Sequence, residues 1–107
     1  MKISSQEALD SLRKSGNVFT ELFQHGTLSV EIYAPDKVDH QKPHDRDELY
    51  VVISGRGVFS NDGKRCAFEP GTFLFVPAGI EHCFEEFSED FVTWVFFYGP
   101  KGGEANQ

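Results

Sequence analysis

Cysteine and methionine are scarce: the 107 residues hold two Cys and one Met. Cys66 and Cys83 have neither a metal-finger nor a redox-pair spacing, so free, structural thiols are expected. Long apolar runs are also missing. No uncharged stretch approaches the roughly 20 residues that cross a bilayer, and the opening MKISSQEALDSLRKSG lacks the apolar core of a secretion leader. The expectation is a cytoplasmic chain with no membrane partner. Positive charge is short too. Ten Lys and Arg against seventeen Asp and Glu give a formal charge of -7, a field that repels phosphate backbones. With no helix-turn-helix pattern either, nucleic acid is excluded as a partner. No internal repeat or low-complexity segment appears.

What the chain has in excess is aromatic: eleven Phe, three Tyr and one Trp. Bulky flat side chains favour pleated surfaces and tilt the expectation toward an all-β domain. The length suits a single core. The acidic excess gathers at Glu81, Glu85, Glu86, Glu89 and Asp90, which reads as a solvated loop and strand edge.

Ser4 or Ser5 caps a predicted helix running to about Lys14, with Ala8, Leu9 and Leu12 as its apolar stripe and Gly16 as its stop. The period then becomes strand-like. Val18 to Phe23 and Thr27 to Ala34 read as a hairpin turned at His25-Gly26, and a polar loop, Asp36 to Asp47, leads into a strand from Glu48 to Ser54. A second hairpin, Val58 to Ser60 with Lys64 to Glu69, turns at Asn61-Asp62-Gly63. Strands Thr72 to Val76, His82 to about Phe87 and Phe91 to Tyr98 follow, separated by Pro77-Ala78-Gly79 and the acidic loop. Short strands without βαβ alternation predict a sandwich, barrel or jelly roll. The expected organisation is a helical appendage over 1–16, a barrel over 17–99 and a flexible tail over 100–107.

The chain has four histidines. His25 lies beside a turn glycine and reads as an exposed turn residue. His44 and Glu48 occur in Pro43-His44-Asp45-Arg46-Asp47-Glu48, followed by Gly55-Arg56-Gly57, and His82 closes a run of Gly71, Pro77-Ala78-Gly79 and His82. The order and internal spacing of these two segments resemble the two motifs of the cupin superfamily over roughly residues 40 to 98. The resemblance implies a double-stranded β-helix, or jelly roll, with His44, Glu48 and His82 pointing into the barrel around a mononuclear divalent metal such as iron, manganese, zinc or nickel. The chemistry of the residues agrees, because neutral imidazole and carboxylate suit borderline divalent ions and two His with one carboxylate leave positions open. His44 and Glu48 share strand parity, and His82 starts a separate strand. Without a metal, the same residues read as a hydrogen-bonded His44–Glu48 pair at a barrel mouth and a turn-capping His82.

Two positions depart from the family pattern. Lys42 stands where a further His is usual, a cation and a poor ligand. His40 and Gln41 are the candidates for a fourth ligand. Glu86 replaces the usual closing Asn and reads as a surface carboxylate. Gly55, Gly57, Gly71, Pro77 and Gly79 are read as structural. Tyr50, Phe59, Phe73, Phe75, Phe84 and Trp94 are read as core or pocket lining, and Arg46 and Arg56 as strand-edge charges or contacts to an anionic ligand.

The implied function is binding of, or metal-dependent chemistry on, a small organic molecule, with dioxygenase and isomerase reactions both within the family's range. The alternatives are a sensor without turnover and a metal-free structural barrel. The last strand is apolar on both faces, with Phe91, Val95 and Phe97 on one and Val92, Trp94, Phe96 and Tyr98 on the other. An identical subunit packed on the outer face predicts a homodimer.

Overall fold

The computed structural model describes residues 1–105. It opens with α1, Ser5–Ser15. Ser4 starts the helix because its hydroxyl accepts the Glu7 amide at 3.1 Å while the Glu7 carboxylate accepts the Ser4 amide at 3.0 Å, which satisfies two otherwise free donors. Gly16 ends it in the left-handed region at φ 70. Ala8 and Leu12 form the buried stripe.

Eight strands follow: β1 Phe19–His25, β2 Leu28–Tyr33, β3 Asp47–Ser54, β4 Gly57–Asn61, β5 Lys64–Phe68, β6 Phe73–Val76, β7 His82–Glu85 and β8 Val92–Tyr98. All pairings are antiparallel. One sheet has the order β1-β2-β8-β3-β6 and the other β5-β4-β7. The two sheets face each other as a jelly-roll barrel, the architecture expected from the turn spacing.

Alternation decides which side chains enter the barrel. Tyr50 and Val52 from β3, Leu74 and Val76 from β6, and Val95 from β8 meet Phe59, Phe68 and Phe84 of the smaller sheet and Phe91. Aromatic edges and faces interlock there, with Phe84 at 4.7 Å from Phe59 and 4.6 Å from Phe91 between ring centroids. Gly55 is required at the closed end of the barrel. Its φ is +89 and an added Cβ would collide with the Phe91 backbone.

The outer face of the larger sheet is only partly covered. Helix α1 packs Ala8 and Leu12 on Ile32, with Ile53, Val92 and Trp94 around them, so the helix shields one half of that face. Phe73 and Phe75 of β6 remain 60% and 40% exposed. The sequence reading of these two as core or pocket lining is therefore corrected. In Phe73-Leu74-Phe75-Val76 every residue is apolar, so composition could not say which alternate pair points inward. Pairing with β3 turns Leu74 and Val76 into the barrel.

The segment after β8 folds back instead of trailing away. Gly102 donates to the Asp45 carbonyl at 2.6 Å and Glu104 to the Asp47 carboxylate at 2.8 Å. Of the tail expected over 100–107, residues 106 and 107 lie outside the described residues. Among the described residues, no helix is long and apolar enough to cross a membrane.

Candidate metal centre

His44, Glu48 and His82 converge at the open end of the barrel, each offering one donor atom within 4.8 Å of the others. Glu48 is the second residue of β3 in the five-stranded sheet, and His82 is the first of β7 in the opposite sheet. His44 precedes β3 in irregular backbone, so loop geometry, not the shared strand parity read from the sequence, aims its ring. The elements are tied where the ligands emerge. Gly79 donates its amide to the His44 carbonyl at 2.7 Å, and the buried Asp47 carboxylate accepts the Ala78 amide at 2.9 Å.

Glu48 Oε1 lies 3.0 Å from His44 Nδ1 and 2.6 Å from His82 Nε2. The Glu48 and His82 side chains are 1% and 0% exposed, whereas the His44 side chain is 35% exposed. His82 Nδ1 sits 2.9 Å from the Ile80 carbonyl. A carbonyl only accepts, so Nδ1 carries a proton; Nε2 then donates to Glu48 when the ring is an imidazolium and turns a lone pair toward it when the ring is neutral. In the neutral form two acceptors face each other at 2.6 Å. Glu48 Oε2 is buried without a hydrogen-bond partner, and the neutral arrangement of Nε2 against Oε1 costs free energy unless a proton or a metal cation sits between them.

The titration shifts carry the same tension. Burial pushes the Glu48 carboxyl up, but its contacts with His44 and His82 outweigh that and leave it net below the ordinary value. Burial pushes His82 down, and contact with Glu48 and the Ile80 carbonyl outweighs it, so its net shift is upward.

The donor set fits a divalent ion. Metal bonds of about 2.0–2.2 Å to nitrogen and oxygen place neighbouring ligand atoms roughly 3 Å apart, comparable with the separations from Glu48 Oε1. The Ile80 carbonyl supplies the second contact that fixes the tautomer of a metal-binding imidazole.

The fourth-ligand candidates are not in the cluster. His40 is exposed, and the Gln41 carbonyl oxygen accepts the Tyr50 hydroxyl at 3.0 Å while its amide donates to Asp39 at 2.7 Å. Lys42 is exposed and lines a polar recess on the His82 side with Glu81 and Ser60. Glu86 lies on the surface, 3.4 Å from Arg65. Arg56 pairs with Glu69 at 2.9 Å, and Arg46 donates to the Thr27 carbonyl at 2.6 Å.

Two residues that sequence reasoning missed organise the site. Asp47 anchors the Pro77-Ala78-Gly79 turn, as described. Asp39 accepts the Tyr33 hydroxyl at 2.5 Å and the Phe84 amide at 2.8 Å, which straps the loop before β3 across both sheets. Burial and this bond to Asp39 raise the Tyr33 hydroxyl above its ordinary value. An isolated Asp in a polar loop carries no sequence signal for such reach.

A cleft of about 460 Å³ opens beside His44, lined by apolar groups that include Phe19, Tyr33, Val38, Val95 and Phe97. It gives the exposed edge of His44 access to molecules far larger than water.

Comparison with known proteins agrees with this architecture. An uncharacterized protein of Streptomyces coelicolor is 33% identical over 104 residues, which cover 94% of this chain and 99% of the other. A cupin 2 conserved barrel domain protein from Leptotrichia buccalis superposes with a TM-score of 0.64 at 27% identity, over 77% of this chain and 40% of that one. A Neisseria meningitidis protein gives a TM-score of 0.72 at 14% identity, over 92% of this chain and all 100% of its own, a likeness of fold alone. The Cupin_2 family model, described as a cupin domain, matches residues 29–98, the span from β2 through β8 that carries all three clustered side chains, and the chain therefore belongs to the cupin family.

Proposed function

We propose that His44, Glu48 and His82 hold one divalent ion, iron, manganese, zinc or nickel, and that the adjoining cleft receives a small organic molecule. The observation that carries this reading is the convergence of one nitrogen each from His44 and His82 on a buried Glu48 carboxylate whose second oxygen has no hydrogen-bond partner. When bound, the ion would supply Lewis acidity and open positions for a ligand. The protein's own contribution is orientation and dryness. Ile80 fixes the His82 tautomer, the interior aromatic rings keep water from the buried side, and His44 presents the single half-open edge.

The test is elemental analysis of tag-free protein after incubation with Fe(II), Mn(II), Ni(II) and Zn(II), beside His44→Ala and His82→Ala. The expected result is one ion per chain in the native protein and loss in both variants. No retained metal under any of the four conditions overturns the proposal.

We also propose that the chain is a homodimer, packed through the part of the outer sheet face that α1 leaves open. The exposed Phe73 and Phe75 support this, since side chains of that size seldom stand together in water without a partner.

A further inference from the structure

The cleft beside His44 has a charge pattern as well as an apolar wall. Its charged lining residues are Glu31 and Asp36, and neither Lys nor Arg lines it. Glu31 stands on the inward face of β2, directly opposite Glu21 of β1 and Val95 of β8. Its carboxylate joins none of the ion pairs among the described residues. Glu21 is turned aside by accepting the Ser29 hydroxyl at 2.9 Å, and the nearby Arg46 guanidinium is held by the Thr27 carbonyl. A half-buried acid thus faces an apolar cavity, a like charge lies behind it, and the two neighbours that offset its charge are engaged elsewhere, Arg46 by the Thr27 carbonyl and His44 by Glu48. Burial first, and the Glu21 charge second, push the Glu31 carboxyl upward, the strain expected of an anion short of a counter-charge.

We infer that the cleft selects an organic amine, its ammonium set against Glu31 and its apolar body lying along Phe19, Val38 and Phe97 toward His44. An ammonium supplies the missing counter-charge and donates to both carboxylate oxygens. A carboxylate ligand of the same shape would meet Glu31 and Asp36 with no Lys or Arg in the lining to offset them, only the imidazoles of His40 and His44. Glu31 is then a specificity residue for the proposed centre, outside its ligand set.

This deepens the proposed function and rests on it only in taking His44 as the end of the cleft where chemistry would occur. Binding is therefore measured first on chelator-treated protein, where coordination of the probe to a metal cannot contribute. Calorimetric or NMR titration compares 2-phenylethylamine at neutral pH with 2-phenylethanol and phenylacetate. The amine should bind about fivefold or more tightly than either. Glu31→Gln should abolish that preference, and Glu31→Lys should invert it toward phenylacetate, with native metal content retained on reloading both variants. Equal or tighter binding of phenylacetate by the native chain, no binding of the amine at millimolar concentration, or an unchanged preference in Glu31→Gln overturns the inference. Loss of metal binding in the native chain with the amine preference intact would instead remove the proposed function and leave the cleft's selectivity standing.

Discussion

The amide of Gly79 donates to the carbonyl of His44 over 2.7 Å, so the turn that launches one histidine is fastened to the residue that supplies the other. Asp47 reinforces the joint by holding the neighbouring Ala78 amide at 2.9 Å. The relative position of the two rings is therefore set by backbone contacts 35 and 31 residues apart in sequence, counted from 79 − 44 and 78 − 47.

Asp47→Ala is expected to strip the carboxylate from the Ala78 and Glu104 amides and to destabilise the fold by about 1–3 kcal/mol. It should also weaken metal binding on the order of tenfold, as loss of an orienting contact does. Urea unfolding and a competitive metal titration read the two effects separately. Unchanged affinity would show that the turn needs no anchor.

In the metal-free protein, His82→Leu leaves the Glu48 carboxylate, 1% exposed, with the His44 contact alone. Removing one partner of a buried charged pair costs about 3–5 kcal/mol. The double variant His82→Leu with Glu48→Met should recover much of that loss, because no charge then stays buried. A double-mutant cycle by chemical denaturation checks this, and additive losses would show that the two side chains do not share a contact.

Stability of the metal-free chain should peak in mildly acidic solution. Glu48 is depressed in the fold, so its contribution is present above its ordinary 4.5 and fades as pH falls through the native value. His82 is raised, so its contribution is complete below its ordinary 6.5 and fades as pH rises through the native value. The window of greatest stability thus lies between about pH 4.5 and 6.5. Glu31, raised by burial, works against the fold as it ionises and leans the maximum toward acid. Metal reverses the upper limit, because it binds the deprotonated imidazoles. At free metal 100-fold above the dissociation constant the gain is about 2.7 kcal/mol. Melting curves with and without chelator at several pH values test both statements.

Phe73→Lys with Phe75→Lys places charge on the open half of the outer face without touching the barrel interior. Light scattering after size exclusion should show a dimer for the native chain and a monomer for the variant at micromolar concentration. A native monomer removes the dimer.

The three clustered side chains were legible because their spacing coincides with turn signals: proline and glycine before β7 and a polar loop before β3. Strand positions were legible for the same reason, with ends shifted by a residue or two, as at Asp47 and Phe73. Asp39 and Asp47 were not. Their partners lie far along the chain, Phe84 and Ala78, and a single carboxylate has no periodicity to betray a distant contact. Glu31 was hidden for another reason. In Leu28-Ser29-Val30-Glu31-Ile32-Tyr33 the alternation suggests an outward acid, but Ile32 packs beneath α1, and the residues between that packed face carry Glu31 to the cavity side. The helix, formed elsewhere in sequence, decides which face of β2 is inside.

The fold-back after β8 has a practical side. Asp47 holds the Glu104 amide, and Gly103 is packed so close that an added Cβ would stand 2.8 Å from the Asp47 carboxylate oxygen. Trimming the chain at Pro100 would therefore slacken the support beneath Ala78 and His44, and a purification handle fused next to this segment would pull on the same hinge. An affinity tag at the other end, beyond α1, leaves that latch undisturbed.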